Sequence, residues 1–530
     1  MRKLILLFLC LSLPVFGALS STVQWDVRTT GSDSNSGGFD PGVSVPGTDY
    51  SQQNSPQITY TDLVVGVTTT KYTSVLNIVS SALPGNTLLV TGGTGCTTGT
   101  FEILSNATIT ATVDRSLGTA ASVCTAVLGG GFLTIPHALS TLSNASGSFT
   151  PLNQVWVKSG TYAPPSAGIG NCTNQSSCSG SVIPGLIVQG YGTTHGDITS
   201  PCSVATTCPL IATANAATPI WSPVGSSATA GLILKNLEMA ITATSNPYSI
   251  IGGPGGPDLT CINCKFDVTS TAGGSNGIYN SNYYAYILLW GSEFNVSSGN
   301  YGINDFAEVP NEHGQGIWSY YSYYHGAGTG FWDGNSAGHQ LWHLYFNAFS
   351  GMARGVYAQT NVDLSLLGLD LVGNAFYNMT NEAVRSNGVA VHWAYIFNNI
   401  FYGGTYGVYI FGYVGNGSGT PWGQPLSVSN AYGNQGTAPY LVYPTQNSAS
   451  NSSLGGITPG LYNSDIALGA CQPFNAPASA DFSLSTCGKA ALGAKGFPGV
   501  TPAGTGYLDI GALQSQAAAG ASIAAGSYVQ

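Results

Sequence analysis

Between about residue 230 and residue 445 the apolar positions fall in short runs, such as Ile287-Leu288-Leu289-Trp290 and Tyr395-Ile396-Phe397, punctuated by Gly and Asn. Runs of this length and residue type read as β-strands. An Asn-apolar-aromatic segment recurs, with its aromatic at Phe266, Phe294, Tyr324, Phe349, Phe376, Phe401 and Tyr432 and spacings of 28, 30, 25, 27, 25 and 31. A second series interleaves at Gly277-Ile278, Gly302-Ile303, Gly330-Phe331, Gly355-Val356, Ala383-Val384 and Gly407-Val408, spaced by 25, 28, 25, 28 and 24. Two markers that hold one period define a structural repeat.

The content of the repeat selects the architecture. Helix-forming stretches are missing, which excludes helical solenoids and leucine-rich horseshoes, and a propeller blade needs roughly 40 residues or more. The period fits a coil of three short parallel strands and three turns, stacked so that equivalent residues recur about every 4.8 Å along the axis. The aromatic series then becomes an internal stack. Asn347, Asn374, Asn399 and Asn430, each two residues earlier, become a ladder of side-chain amides at a turn.

Composition narrows the class. Of 530 residues only 34 are charged, 12 Lys+Arg against 22 Asp+Glu, while 72 are Gly and 57 are aromatic (29 Tyr, 19 Phe, 9 Trp). A net charge of −10 argues against a nucleic-acid partner. The aromatic content argues against disorder. Arg2 and Lys3, the apolar run Leu4 to Phe16, and small residues at Gly17, Ala18 and Ser20 read as a secretory leader over residues 1–20, with cleavage after Gly17 or after Ser20. No later stretch is apolar for long enough to span a membrane. The expected destination is secreted, or extracellular/periplasmic. Beyond Cys10 there are ten cysteines, an even count that reads as disulfides in an exported chain. Neighbouring pairs are the simplest pairing: Cys96–Cys124, Cys172–Cys178, Cys202–Cys208, Cys261–Cys264 and Cys471–Cys487. The Cys261-Ile-Asn-Cys264 spacing has no second CxxC to complete a zinc site and reads as a local staple.

The segments outside the repeats add a resemblance. Trp25-Asp26-Val27-Arg28 through Gly37-Gly38, Thr134-Ile135-Pro136-His137-Ala138-Leu139, Val155-Trp156-Val157-Lys158, Leu186-Ile187-Val188-Gln189-Gly190-Tyr191-Gly192, Asp481-Phe482-Ser483-Leu484 and Asp509-Ile510-Gly511-Ala512 stand in chain order around the repeats. Together they resemble secreted right-handed parallel β-helix proteins of the pectate-lyase-like superfamily. The resemblance implies an all-β, right-handed parallel β-helix with an N-terminal capping helix. It gives an opening segment at 21–42, a small inserted β-module at 43–131 that departs from the coil period, coils at 132–445, a closing region at 446–512 and a flexible tail at 513–530. This superfamily hosts many activities, so the fold implies no single one.

The chemistry-bearing residues gather on the central coils. Residues 293–392 hold Glu293, Asp305, Glu308, Glu312, His313, His325, Asp333, His339, His343, Arg354, Asp363, Asp370, Glu382, Arg385 and His392. Counted from the Gly-Ile marker, position three places Asp305 beside Asp333 on adjacent coils, close enough to share a proton or a calcium ion. Position two, expected to face outward, carries Trp332, Tyr357, Arg385 and Tyr409, a platform for the apolar faces of sugar rings. Six residues before the stacked aromatic come Trp318, His343, Asp370 and Tyr395, with His343 and Asp370 positioned to pair. Arg354 and Glu382 share a further column. The candidate catalytic set is therefore Asp305, Asp333, His343, Asp370, Arg354 and Glu382. The candidate sugar-binding set is Trp318, Trp332, Tyr357, Arg385, Tyr395 and Tyr409.

Two functions fit. One is an extracellular hydrolase or lyase acting on polysaccharide along a lateral groove, with no cofactor required and calcium as an option. The adjacent Asp-Asp and Gly-His-Gly motifs of polygalacturonases and the Arg-x-Pro-x-x-Arg pattern of calcium-dependent pectate lyases are both missing. The other is a non-catalytic adhesin, glycan-binding or structural fibre protein, in which the same acids cap backbone amides and the aromatic rows stabilise the surface.

Overall fold

The computed structural model describes residues 19–20, 22–75, 81–107, 109–146, 154–166, 168–169, 186–202, 207–213, 219–221, 231–242, 249–253, 258–280, 286–305, 315–333, 339–358, 366–387, 390–411, 426–443, 465–493 and 511. They belong to two compact units, Met1–Val155 and Trp156–Gln530.

The second unit is a β-solenoid. Each coil gives one strand to each of three parallel sheets in turn. One central coil runs Ile287–Trp290, Glu293–Val296, Tyr301–Asp305, the next Gln315–Tyr320, Tyr323–His325, Thr329–Asp333, and the next His339–Tyr345, Ala348–Ser350, Arg354–Ala358. Registers carry straight through: Phe294 pairs with Tyr324 and Tyr324 with Phe349, Asp305 with Asp333, and Trp318 with His343. The columns read from the sequence are therefore columns in space.

From the coil that begins at Gly231–Lys235 onward, the corner between the first and second sheets takes two residues, and its first residue is left-handed, at Asn236, Asn263, Gly291, Tyr321, Phe346, Gly373, Asn398 and Ser429. Its second residue is the ladder position. Asn374 Oδ1 accepts from the Asn347 backbone N–H at 2.9 Å and from Asn347 Nδ2 at 3.1 Å, and Asn399 and Asn430 repeat the pattern. Asp465, an acceptor only, takes the Asn430 N–H at the last rung. At the other end Ser322, Ser292 and Cys264 fill the same position. These bonds satisfy corner amides that are buried from water. Inside, the ring stack runs from Phe266 to Tyr432 with centroids 4.4–5.1 Å apart.

This arrangement corrects one disulfide. Cys261 and Cys264 are buried free thiols, not a staple. Cys264 is a rung of the ladder, and its thiol lies 3.4 Å from the Leu234 carbonyl, where an asparagine rung would place its amide. Cys96–Cys124, Cys202–Cys208 and Cys471–Cys487 are bonded as expected. Cys172 and Cys178 lie outside the described residues, as does the 513–530 tail.

The outer face of the second sheet is covered. Phe474, Phe482, Leu484 and Leu492 pack on Ala375, Ile400, Tyr402 and Ala431. Of the closing motif, Phe482 is thus an anchor on that sheet.

In the first unit Ile58–Val65, Lys71–Thr73, Thr110–Val113, Gly99–Ala107, Thr87–Gly92 and Val123–Leu128 close into a barrel. It is filled by Tyr60, Leu63, Tyr72, Leu88 and Phe101. A helix spans Ile135–Ser146. Asp33 accepts from the backbone of Leu133 and Thr134, and Thr134 Oγ1 accepts from the His137 N–H, so the helix start is capped. Trp25 stacks on Phe132 with centroids 5.7 Å apart, and Gly37 (φ +71°) lies where any Cβ would strike the Phe132 ring. Among the described residues no helix is long and apolar enough to cross a membrane.

Candidate functional site

Strand alternation divides the candidate residues among three environments. Position three of the third sheet faces the coil interior, because it lies on the same side as the buried Ile303 and Phe331 of position one. Asp305 and Asp333 are accordingly 1 % and 2 % exposed. Asp305 accepts from Asn280 Nδ2 and from Trp342 Nε1, both at 2.9 Å. The two acids do stand on adjacent coils, with their side chains buried inside the solenoid. Asp305 binds the indole of Trp342, which projects inward from the first sheet.

The outer face of the third sheet holds a mixed cluster. Tyr301 stacks on Trp332 with centroids 3.9 Å apart. Glu382 is gripped from both sides, by Arg354 Nε and by Arg385 Nη1, each at 2.8 Å. Arg354 and Arg385 also lie over the Tyr357 ring at 4.4 and 5.4 Å, and Arg385 reaches Tyr409 at 5.4 Å. Glu382 is 8 % exposed with both oxygens held, an arrangement that fixes side chains and leaves no free acid for proton transfer. Burial raises the Tyr301 hydroxyl above the usual phenol range, with Tyr357 adding to the shift and Arg354 opposing it.

The outer face of the first sheet is different in kind. Tyr286, Trp318 and His343 follow one another with centroids 5.6 and 5.1 Å apart. Two residues beyond Leu288, Trp318 and His343 on their strands runs a second row, Trp290, Tyr320 and Tyr345, with centroids 5.5 and 5.2 Å apart. Tyr321 stacks on Phe346 at 5.4 Å at the edge, and Tyr395 lies beyond Asp370 in the first row. Tyr286, Tyr321 and Tyr395 are 50 %, 38 % and 42 % exposed. Amid these rings His343 Nδ1 meets Asp370 Oδ2 at 2.6 Å, and the Tyr345 hydroxyl donates to the same oxygen at 3.4 Å. Asp370 Oδ1 has no partner among the described residues. Burial, then the Asp370 charge, pushes the Tyr345 hydroxyl up to about 12.

The expected pairs His343–Asp370 and Arg354–Glu382 are thus formed, on different sheets. Trp318, His343, Asp370 and Tyr395 share the first sheet, and Trp332, Arg354, Tyr357, Glu382, Arg385 and Tyr409 the third. Glu293 is paired with His325 at 2.9 Å on the second sheet. Glu308, Glu312, His313 and Asp363, and the side chains of His339 and His392, lie outside the described residues. The second aromatic row, Trp290, Tyr320 and Tyr345, was missed in the sequence reading. Its signal was present, two residues after the Trp318 column on the same strand face. Among the described residues no three His, Cys, Asp or Glu side chains converge on a point where a metal ion would sit.

No protein-family model, curated protein or solved structure matches this chain.

Proposed function

We propose that the protein is an exported parallel β-solenoid that binds polysaccharide along the outer face of its first sheet without cleaving it. The observation that supports this reading is the double row of rings, Tyr286–Trp318–His343 beside Trp290–Tyr320–Tyr345. Consecutive rings present a near-continuous apolar strip, and the apolar faces of sugar rings pack on such surfaces. Of the candidate acids, Asp305 is held by Trp342 and Asn280, and Glu382 by two arginines.

The leader-like residues 1–20 and three disulfides support export. The opening, closing and coil segments support a right-handed helix of the pectate-lyase-like type, with the Ile135–Ser146 helix as its cap and the barrel as an insertion. A second reading rests on His343, whose ring is oriented by Asp370 in the manner of a general base with its positioning acid. On that reading the same strip belongs to a hydrolase or lyase. The two separate on incubating secreted protein with a panel of neutral and acidic polysaccharides, with and without calcium. Retention on a neutral polysaccharide without new reducing ends or unsaturated uronates is the expected result. Products that disappear in His343→Ala would replace the binding reading with the catalytic one.

A further inference from the structure

The two-residue corner after the first-sheet strands borders the strip of rings. At its left-handed position most coils use a residue that tolerates that conformation: Asn236, Asn263, Asn398, Gly291, Gly373 or Ser429. Two central coils do not. Tyr321 (φ +53°) and Phe346 (φ +57°) hold bulky rings there, where such a side chain is an outlier because its Cβ crowds the following carbonyl. The next coil makes room for them, since a Cβ added at Gly373 would come within 2.6 Å of the Phe346 ring. Asn serves the same corner on neighbouring coils, so the fold itself does not require the rings. Strain kept where the column offers an easy alternative points to a task for the side chains.

The corner rings are continuous with the strip. Tyr321 stacks on Phe346 with centroids 5.4 Å apart, and Trp290 of the second row meets Tyr321 at 5.1 Å, edge to face. Tyr321 stays 38 % exposed, so much of its apolar area is left in water rather than spent on packing. Only Tyr321-Ser322 and Phe346-Asn347 separate the flanking strands, so the corner itself raises no wall beside the rings. Further along, the corner is taken: the Gly511 N–H donates to the Asn398 carbonyl at 2.8 Å, which bounds the row at that end.

Counted along the chain, the second row lies two residues beyond the first and the corner row one residue beyond the second, a width of about 10 Å. Successive coils are about 4.8 Å apart, so rings on neighbouring coils extend about as far along the axis. One line of rings would serve a single chain. A patch as wide as it is long, with an open corner side, fits a surface. Trp290, Tyr320, Tyr345, Tyr321 and Phe346 are uncharged, and in the first row His343 and Asp370 are closed on each other at 2.6 Å, so the matching surface is neutral.

We infer that Tyr321 and Phe346 are ligand-binding residues forming a third row of the strip, and that the ligand is the face of an insoluble neutral polysaccharide, not one chain laid in a groove. The inference rests on the reading of the first sheet as the polysaccharide-binding face. Asn would relieve the corner but offers no apolar ring for sugars to pack on.

The double variant Tyr321→Asn/Phe346→Asn tests it, because Asn is what the column itself uses at Asn236, Asn263 and Asn398. Binding is read by depletion on powdered cellulose, chitin and mannan, and by titration calorimetry with short soluble oligosaccharides of the same linkages. The variant should match or exceed the native urea midpoint and lose about tenfold in affinity for the powder that retains the native protein. It should bind the soluble oligosaccharide no less than the native protein does, and Tyr321→Phe should keep native affinity for the powder. Unchanged powder affinity in the double variant, with loss in Trp318→Ala, overturns the third row and leaves the first-sheet reading standing. Equal losses for powder and oligosaccharide, or a native protein that binds the oligosaccharides and none of the powders, overturn the surface ligand. Powder affinity unchanged in both variants, or no binding of any probe by the native protein, overturns the first-sheet reading as well. Should the double variant not fold, Tyr321→Asn alone is read in the same way.

Discussion

Asp305 is the residue on which the sequence and the structure differ most, and its replacement separates a structural acid from a catalytic one. In Asp305→Ala the Trp342 Nε1–H and an Asn280 amide hydrogen lose acceptors they hold at 2.9 Å, in an environment where Trp342 is fully buried. Each buried donor left unsatisfied costs about 1–3 kcal/mol. The variant should therefore lose about 2–6 kcal/mol, seen as a shift of the urea midpoint at unchanged slope. Asp305→Asn keeps the shape and one acceptor oxygen, so one of the two donors stays satisfied and the loss should be about half. Binding to polysaccharide, measured on folded protein well below the midpoint, should be unchanged in both variants. A urea midpoint within about 0.5 kcal/mol of the native protein's, together with lost polysaccharide turnover or binding, would refute the reasoning and restore Asp305 to an accessible site.

Other consequences follow from the same geometry. Asn374→Ala strips the ladder of a rung and orphans the Asn347 N–H and the Leu344 carbonyl, so urea unfolding should show a loss of about 2–5 kcal/mol. Cys261 and Cys264 should resist alkylation at pH 8 in the folded protein and label fully on unfolding, as read by peptide mapping, since both are buried and burial raises the Cys261 thiol well above its ordinary range. The barrel should weaken in alkali. Burial pushes the Tyr60 hydroxyl up to about 12, above its ordinary 10, so the folded state holds the proton longer than the unfolded chain does. The stability this represents is intact below pH 10 and falls as pH rises toward 12, by about 3 kcal/mol over those two units. Circular dichroism of the unfolding transition at pH 9, 10 and 11 checks the direction.

The solenoid was legible because its signals are periodic. The Phe266–Tyr432 stack, the Asn347–Asn430 ladder and the Asp305–Asp333 register all come from residue spacing, and a parallel stack converts spacing directly into neighbourhood. What spacing did not convey was side. Asp305 is polar and sits next to an outward column, and only the alternation from Ile303 places it inside, where Trp342 of another strand needs an acceptor. Cys264 misled for a similar reason. Its nearness to Cys261 suggests a bond, while its role is set by Ser292 and Leu234 on neighbouring coils, far away in sequence. The His343–Asp370 pair was found because both its members lie in one column. The aromatic row beside it went unread because rings on a β-surface have an ordinary structural meaning.

The central claim, that the first-sheet strip holds polysaccharide, is tested most directly by the affinity of Trp318→Ala for the polysaccharide the native protein retains. Trp318 lies between Tyr286 and His343, and its indole covers Gly316, so its removal interrupts the strip without opening the interior. Titration calorimetry should show at least a tenfold weaker complex, equivalent to about 1.4 kcal/mol, at an unchanged urea midpoint. Undiminished affinity in Trp318→Ala, with loss on Trp332→Ala instead, would place binding on the third sheet and contradict the account.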